Sequence, residues 1–416
     1  MGADADDVVY LDNNATTRVA PEVVEAMMPY LTTEYFNASS AYERARPVAE
    51  ALSRSRATLA RFLGGVEPDT ILFTSCATES VNAAIRGAIH ANPHRRHIIT
   101  TGVEHPAVME VCKEIAGGDL EVTFLPVDRS GRLDTRDFIR ALQPDTLLVA
   151  IMHANNETGV IFPIEELSRL TQETDPEILF FTDATQTAGK LPLDLRRSLP
   201  HVDMLALSGH KFHAPKGVGA LYVKRGTRCR PFMAGGHQES GRRAGTENVP
   251  FIVGLARAVE LAEVDHDATL LRIRTLRDRL ERELTARIPC IEVNGHDGPR
   301  MPNTLNLAVH FIEGEGMLYQ LNDHGICASS GSACTSGSLE PSHVLKAMRI
   351  PFTAIHGSVR FSLSRYTTEK EIDRVVEVFP TIVANLRRLS PYWDQKHDRP
   401  RPESEAMMRE ESSPAG

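Results

Sequence analysis

No apolar run in these 416 residues approaches the ~20 needed to span a bilayer. The first ten residues, MGADADDVVY, are acidic where a secretory leader is basic, so a cytoplasmic protein is expected. Positive charge is also lacking: 46 Lys and Arg stand against 55 Asp and Glu, with a formal net charge of −9 and a pI near 6.0. A nucleic-acid partner, whose phosphates demand a basic surface, is therefore excluded, although a small anionic ligand in a local pocket is not. Cysteine is scarce, with six residues at 76, 112, 229, 290, 327 and 334. That is too few and too scattered for a disulfide framework, and no pair has the C-x-x-C spacing of a metal or cluster carrier. No repeat of 20 to 50 residues suggests a solenoid or propeller.

What remains is an ordinary globular composition, 42% hydrophobic, long enough for two to three domains. Short, continuously apolar runs alternate with helical stretches through the middle of the chain: Thr70–Thr74, His97–Thr101, Glu121–Leu125, Leu147–Met152, Ile178–Thr182 and Met204–Leu207. Such runs predict strands buried on both faces, hence a mostly parallel sheet sandwiched by helices. Gly217–Lys224 follows a proline turn and is expected to return antiparallel. Ala268–Ile288 carries apolar residues at helical spacing among many charges, predicting one long amphipathic helix. Thr304–His310 and Val359–Leu363 then belong to a smaller α+β domain. The expected division is a large domain at 15–262, a small one made of 1–14 and 263–393, and a disordered tail at 394–416, where polar and proline-rich sequence shows no periodicity.

Ligands of parallel sheets collect beyond the carboxyl ends of the strands, and chemistry-bearing residues recur there. Ser75–Ser80 leads from a strand into a helix, a place for free amides to meet a phosphate, or a plain helix cap. Asp183 ends a strand three residues before Gln186; a buried carboxylate there calls for a cationic partner such as a pyridinium nitrogen, with a helix cap as the bland alternative. Ser208-Gly209-His210-Lys211 puts a lysine at the same edge, and it is preferred over Lys216, which sits in a Pro/Gly turn. An amine so placed can form a Schiff base if burial near other cations depresses its ionisation. His105, at the same edge, could stack on a planar ring and relay protons, or cap a helix. Cys334 lies in SSGSACTSGS, a stretch too rich in Ser and Gly to pack a core, so it is expected on a loop that presents its thiol. Cys112, Cys229, Cys290 and Cys327 read as small core residues, and Cys76 is undecided. The loop from Gly235 to Thr246 reads equally as an anion-binding loop, through Arg242 and Arg243, or as plain surface.

Taken jointly, LDNNATT (11–17), TSCATES (74–80), VEHPAV (103–108), ANNETG (154–159), DATQ (183–186), SGHKFHAPKG (208–217), GRRAGTEN (241–248), SSGSACTSGSLEPSHV (329–344) and VRFSLSRYTTE (359–369) resemble the cysteine desulfurases. These are enzymes of the class V aminotransferase-like group that depend on pyridoxal 5′-phosphate (PLP). The resemblance spans roughly residues 8 to 393 and is greatest to the NifS type that serves nitrogenase maturation. It implies the α/β fold of fold type I PLP enzymes and conversion of L-cysteine to L-alanine, with a persulfide on Cys334 and sulfur delivery to an iron–sulfur scaffold protein. It further implies that Lys211 carries the cofactor, that Asp183 faces the pyridine nitrogen, and that His105 stacks on the ring. Asn156 and Gln186 would bond the cofactor's phenolic oxygen or the substrate. Ala77, Thr78, Ser208, Gly209 and His210 would surround the phosphate, with Thr246 reaching it from the partner of a homodimer. Arg360 would bind the substrate α-carboxylate. No intrinsic metal site is implied, beyond Cys334 as a shared cluster ligand during transfer. A selenocysteine lyase shares most of these residues; an aminotransferase would not need the Cys334 loop. The chain departs from the family's pattern at Phe36, Ala38, Tyr42 and Ser240.

Overall fold

The computed structural model describes residues 8–330 and 341–412. Strand β1 (Val9–Tyr10) precedes the main sheet, whose seven strands are β2 (Ile71–Thr74), β3 (His97–Thr101), β4 (Glu121–Leu125), β5 (Thr146–Ala150), β6 (Leu179–Asp183), β7 (Met204–Ser208) and β8 (Gly219–Val223). Their spatial order is β2-β8-β7-β6-β5-β3-β4. Only β8 runs against the rest, pairing antiparallel with both β2 and β7, as its turn-linked position predicts.

The continuous apolar runs become strands within a residue or two because both faces are covered. Phe180 and Phe181, adjacent in β6, enter opposite apolar clusters. Helices Pro21–Thr32, Arg46–Phe62 and Val249–Glu263 bury Val23, Leu59 and Leu255 on one face. Helices Ala77–Ala91 and Pro106–Ala116 bury Ile85 and Val108 on the other. β4 departs from the expectation of burial on both faces. It is an edge strand, and Phe124 is 37% exposed.

A third cluster gathers Val9 and Leu11 with residues after 270. Its frame is an antiparallel sheet of β9 (Ile291–Val293), β10 (Thr304–Val309) and β12 (Ser358–Ser362), ordered β12-β10-β9, while β11 (Ile326–Cys327) pairs parallel with β1. Helices His266–Arg287 and Glu369–Leu389 pack onto it through Leu276, Leu280, Val375 and Phe379. The second helix starts at a capping box, with the Thr368 hydroxyl on the Glu371 amide and the Glu371 carboxylate on the Thr368 amide. The short helices His343–Ala347 and Phe352–Ile355 lean on the large sheet's cluster instead, through Leu345 and Ala354.

The expectation of a disordered tail from 394 on is not met. Strand Trp393–Asp394 pairs with Arg399–Pro400, and a helix covers Pro402–Ser412. Trp393 is 2% exposed, with the Arg387 guanidinium 4.0 Å from its ring centroid and Asp398 accepting from its indole N–H. One buried aromatic supplies the anchor that composition and periodicity did not reveal. No helix among the described residues is long and apolar enough to cross a membrane.

Candidate active site

A cavity of about 240 Å³ opens at the carboxyl ends of the parallel strands, lined by residues that follow five of them. β2 delivers Cys76, Ala77 and Thr78, β3 His105, β5 Met152, Ala154 and Asn156, β6 Asp183, Thr185 and Gln186, and β7 Ser208, His210 and Lys211. Of the residues singled out in the sequence, nine besides Lys211 therefore share one cavity with it: Cys76, Ala77, Thr78, His105, Asn156, Asp183, Gln186, Ser208 and His210. Gly209, Thr246 and Arg360 do not line it. Gly209 lies buried in the turn just beneath, its amide donating to the Val218 carbonyl. Lys216, the competing lysine, is exposed on the Gly217 turn. Cys334 lies outside the described residues.

The helix at Ala77 begins without a side-chain cap, its N-cap being Cys76. Its N-terminus thus offers unpaired donors and a favourable dipole to an anion. Gly219 makes this approach possible. A Cβ there would fall 2.9 Å from the Cys76 carbonyl carbon and 2.6 Å from the Leu207 oxygen. The bare backbone of β8 therefore lets the Cys76 turn lie beside Ser208.

Lys211 Nζ donates to the carbonyls of Asn14 and Ala15, each at 2.8 Å. The same Asn14 carbonyl accepts from Gln186 Nε2 at 3.1 Å. Asp183 is 6% exposed and accepts from the Thr185 amide. His105 caps the helix that follows it, its Nδ1 accepting from the Ala107 amide at 3.1 Å, so the neutral ring carries its proton on Nε2. Burial pushes the His105 imidazole below its usual range, helped by the Lys211 and His343 charges and opposed by Asp183. Burial and the charges of Lys211, Lys216, Lys190 and His105 take His210 down to about 4. Both rings are neutral near pH 7.

Arg360 is buried, with NH2 paired to Asp12 Oδ1 at 2.7 Å and NH1 donating to the Asn156 carbonyl at 2.9 Å. Arg243 pairs with Glu79 and Arg242 donates to the Asp69 carbonyl, so both arginines of the GRRAGTEN loop tie it to the body of the molecule. That favours the structural reading of the loop over anion binding. Thr246 on this loop is exposed. Phe36 stacks on Tyr35 and meets Tyr42 edge-on, an aromatic surface group where the family's pattern differs. Burial raises the thiols of Cys112 to about 12 and Cys229 to about 11, and those of Cys290 and Cys327 rise for the same cause. None of these four is a ready thiolate, although only Cys112 is fully buried.

Residues 9–375 match the sequence model of the family described as aminotransferase class-V. The chain is 56% identical over 385 residues to a cysteine desulfurase of Trichormus azollae, covering 92% of this chain and 95% of that one. It is 54% identical to the cysteine desulfurase NifS of Azotobacter vinelandii over 92% of this chain and 95% of the relative. A solved NifS-like protein superimposes with a TM-score of 0.85 at 36% identity, across 91% of this chain and all of that one. The chain belongs to the class V aminotransferase family and, within it, to the cysteine desulfurases.

Enzymes of this family depend on PLP, and the cavity fits that cofactor on its own evidence. Ser208 Oγ and Thr185 Oγ1 are buried without a hydrogen-bond partner among the described residues, and both residues line the cavity beside the uncapped helix. Polar groups so buried call for a ligand that accepts from them, and a phosphate does. A buried carboxylate, Asp183, and an amine, Lys211, share the same space. Sequence reasoning passed over Thr185, although it stands inside DATQ. It also missed Glu104 and Glu157. Burial raises Glu104 to about 8, against donors from Thr101 and Met152. It raises Glu157 to about 7, opposed by the Ser342 hydroxyl and Arg360. Both stand inside quoted motifs, VEHPAV and ANNETG, but no local pattern marks a carboxyl as buried.

Proposed function

We propose that the protein is an L-cysteine desulfurase that forms a persulfide on Cys334 and passes the sulfur to an iron–sulfur scaffold protein, nitrogenase maturation being the served pathway. The observation that carries this reading is where the Cys334 loop leaves and rejoins the described structure. On one side, Ser329 exchanges backbone hydrogen bonds with Arg360. On the other, Ser342 donates to Glu157, and His343 Nε2 donates to the carbonyl of Glu104, the neighbour of His105. The flank after the segment that carries Cys334 is thus held by neighbours of cavity-lining residues, Glu157 beside Asn156 and Glu104 beside His105, and the flank before it by Arg360, which donates to the Asn156 carbonyl. This supports use of its thiol at this site.

PLP, when bound, supplies the electron sink for the pair released at the substrate Cα. Lys211 would hold it and, once freed, take the Cα proton on Nζ. Asp183 would keep the ring nitrogen protonated, while Ala77, Thr78, Thr185, Ser208, Gly209 and His210 would cradle the phosphate. Asn156 and Gln186 would orient the phenolic oxygen and the substrate. Arg360, already paired on one edge with Asp12, would turn toward the substrate carboxylate. Neutral His105, with its proton on Nε2, suits the exchange of a proton with a thiol. Cys334 Sγ then attacks the substrate sulfur: an S–S bond forms, the Cβ–S bond breaks, and its electron pair stays on carbon to be protonated as alanine.

The rest of the reading follows the same resemblance. The enzyme acts as a homodimer in the cytoplasm, with Thr246 completing the partner's phosphate site; its exposure, and that of Phe232 and Met233 on the same stretch, support this. A large domain at 15–262 and a small one at 1–14 and 263–393 are supported by the separate apolar cluster around Leu280 and Phe379. The test is incubation with L-cysteine and a thiol, measuring alanine and sulfide. Cys334→Ala is expected to keep the visible band of the bound cofactor and lose both products; undiminished turnover would sink the persulfide mechanism. A parallel assay with selenocysteine separates the lyase alternative.

A further inference from the structure

Lys190 closes the DATQTAGK segment, seven residues after Asp183, and the reaction just described does not use it. It lies in the turn after β6 and lines a second, smaller cavity of about 50 Å³, which shares Lys211 with the main one. Its Nζ donates to Gln186 Oε1 at 3.4 Å. Gln186 Nε2 in turn donates to the Asn14 carbonyl, which also accepts from Lys211. An amide can turn end for end at little expense unless its neighbours distinguish oxygen from nitrogen. Here both ends are distinguished, because the Lys190 amine, charged or neutral, presents hydrogens to the amide oxygen, and the Asn14 carbonyl can only accept.

We infer that Lys190 is a positioning residue: it holds the Gln186 amide with its oxygen turned away from the cofactor site and its second Nε2 hydrogen left to face the phenolic oxygen. This rests on the reading of Lys211 and Gln186 given above. Burial, Lys211 and Arg360 together bring the Lys190 amine down to about 7. Charged or titratable groups around this pair include His210 and His213 on the Lys211 turn, His266 and Arg365 in the same small cavity, His105 after β3, Asp183 on β6, and Arg360 on β12 with its partner Asp12. Loss of the Gln186 donor leaves the phenolic oxygen less able to stay ionised, so the proton it shares with the neighbouring nitrogen is held to higher pH.

The experiment is a pH titration of the visible band of the PLP-loaded protein. Lys190→Met is expected to raise the midpoint by about one pH unit. Gln186→Ala should raise it similarly, and the double variant no further than Gln186→Ala alone. Lys190→Gln, which keeps a donor without the charge, should lie close to wild type and stands in if the methionine variant does not fold. A midpoint unmoved in Lys190→Met, a fully additive double variant, or a Lys190→Gln shift as large as that of methionine would overturn the inference. Lys211→Ala guards the underlying reading. If it keeps the band, the lysine assignment is wrong; if it loses the band while Lys190→Met titrates like wild type, only the role of Lys190 is wrong.

Discussion

Glu157 joins two parts of the molecule through its backbone carbonyl and its side chain. Its backbone carbonyl accepts from Asn306, its side chain accepts from Ser342 at 2.6 Å, and the Ser342 oxygen caps the next helix by accepting from the amides of Val344 and Leu345. Burial raises the group from its usual 4.5 to about 7. The folded protein therefore holds a proton here that the unfolded chain has released, and stability falls as pH rises from about 4.5 through 7. Glu157→Gln has no proton to lose, and its oxygen can still accept from Ser342. It is expected to match wild type near pH 4.5 and to exceed it at pH 8 by about 3 kcal/mol, read from denaturant melts at the two pH values. Equal pH dependence in the two proteins would refute the assignment. Residues of this kind mark the limit of reading a sequence. Lys211, Asp183 and His105 were legible because they stand at strand ends beside turn residues. Lys190, Glu104 and Glu157 owe their character to what the fold buries around them.

Among the elements, β2 is the one whose free edge is guarded by side chains. The Phe73 amide donates to Glu239 Oε2 at 3.0 Å, and Arg56, paired with both Glu239 oxygens, also donates to the Ile71 carbonyl. An open edge invites pairing with another chain, and this ion pair closes it. The Glu239 side chain is 3% exposed, so removal of Arg56 leaves a buried charge with the Phe73 amide but no cation. Arg56→Ala is expected to destabilise the protein by about 3–5 kcal/mol and to promote aggregation, with partial recovery in Arg56→Ala/Glu239→Gln. Calorimetry and light scattering check this, and a single variant as stable as wild type would count against it. The apolar runs that form β3, β5, β6 and β7 announced themselves because both faces are buried. The guard on β2 could not be anticipated, since Arg56 and Glu239 are 183 residues apart.

For the molecule as a whole, the segment after β1 joins the two sheets. Asn14 Nδ2 donates to Thr304 Oγ1 on β10 and to the Asn156 carbonyl, its Oδ1 accepts from Asn303, and its backbone oxygen holds Lys211 and Gln186. Asn14→Ala is expected to cost about 2–3 kcal/mol and also to loosen cofactor retention, because the carbonyl that orients Lys211 loses its support. Trp393→Ala, far along the chain in the tail hairpin, should cost about 3–5 kcal/mol and leave the visible band of the bound cofactor unchanged. Thermal melts and cofactor release on dialysis, measured together, separate the two; loss of cofactor in both variants would show that the tail bears on the site after all. The hairpin and helix after Trp393 were not foreseen because their polar, proline-rich sequence carries no period, whereas the motif LDNNATT marked its segment without showing that it is also the seam.

The reversed direction of β8 has a consequence for how the protein is made. Between β7 and β8 the chain spans only residues 209–218, so the hairpin that carries Lys211 closes a short loop, while each parallel neighbour must await a crossover. The backbone around Lys211 is thus placed by contacts near in sequence at small entropic expense, while its amine is held by the Asn14 and Ala15 carbonyls from the start of the chain. The other residues that line the cavity, from Cys76 to Gln186, come to it from four further strands.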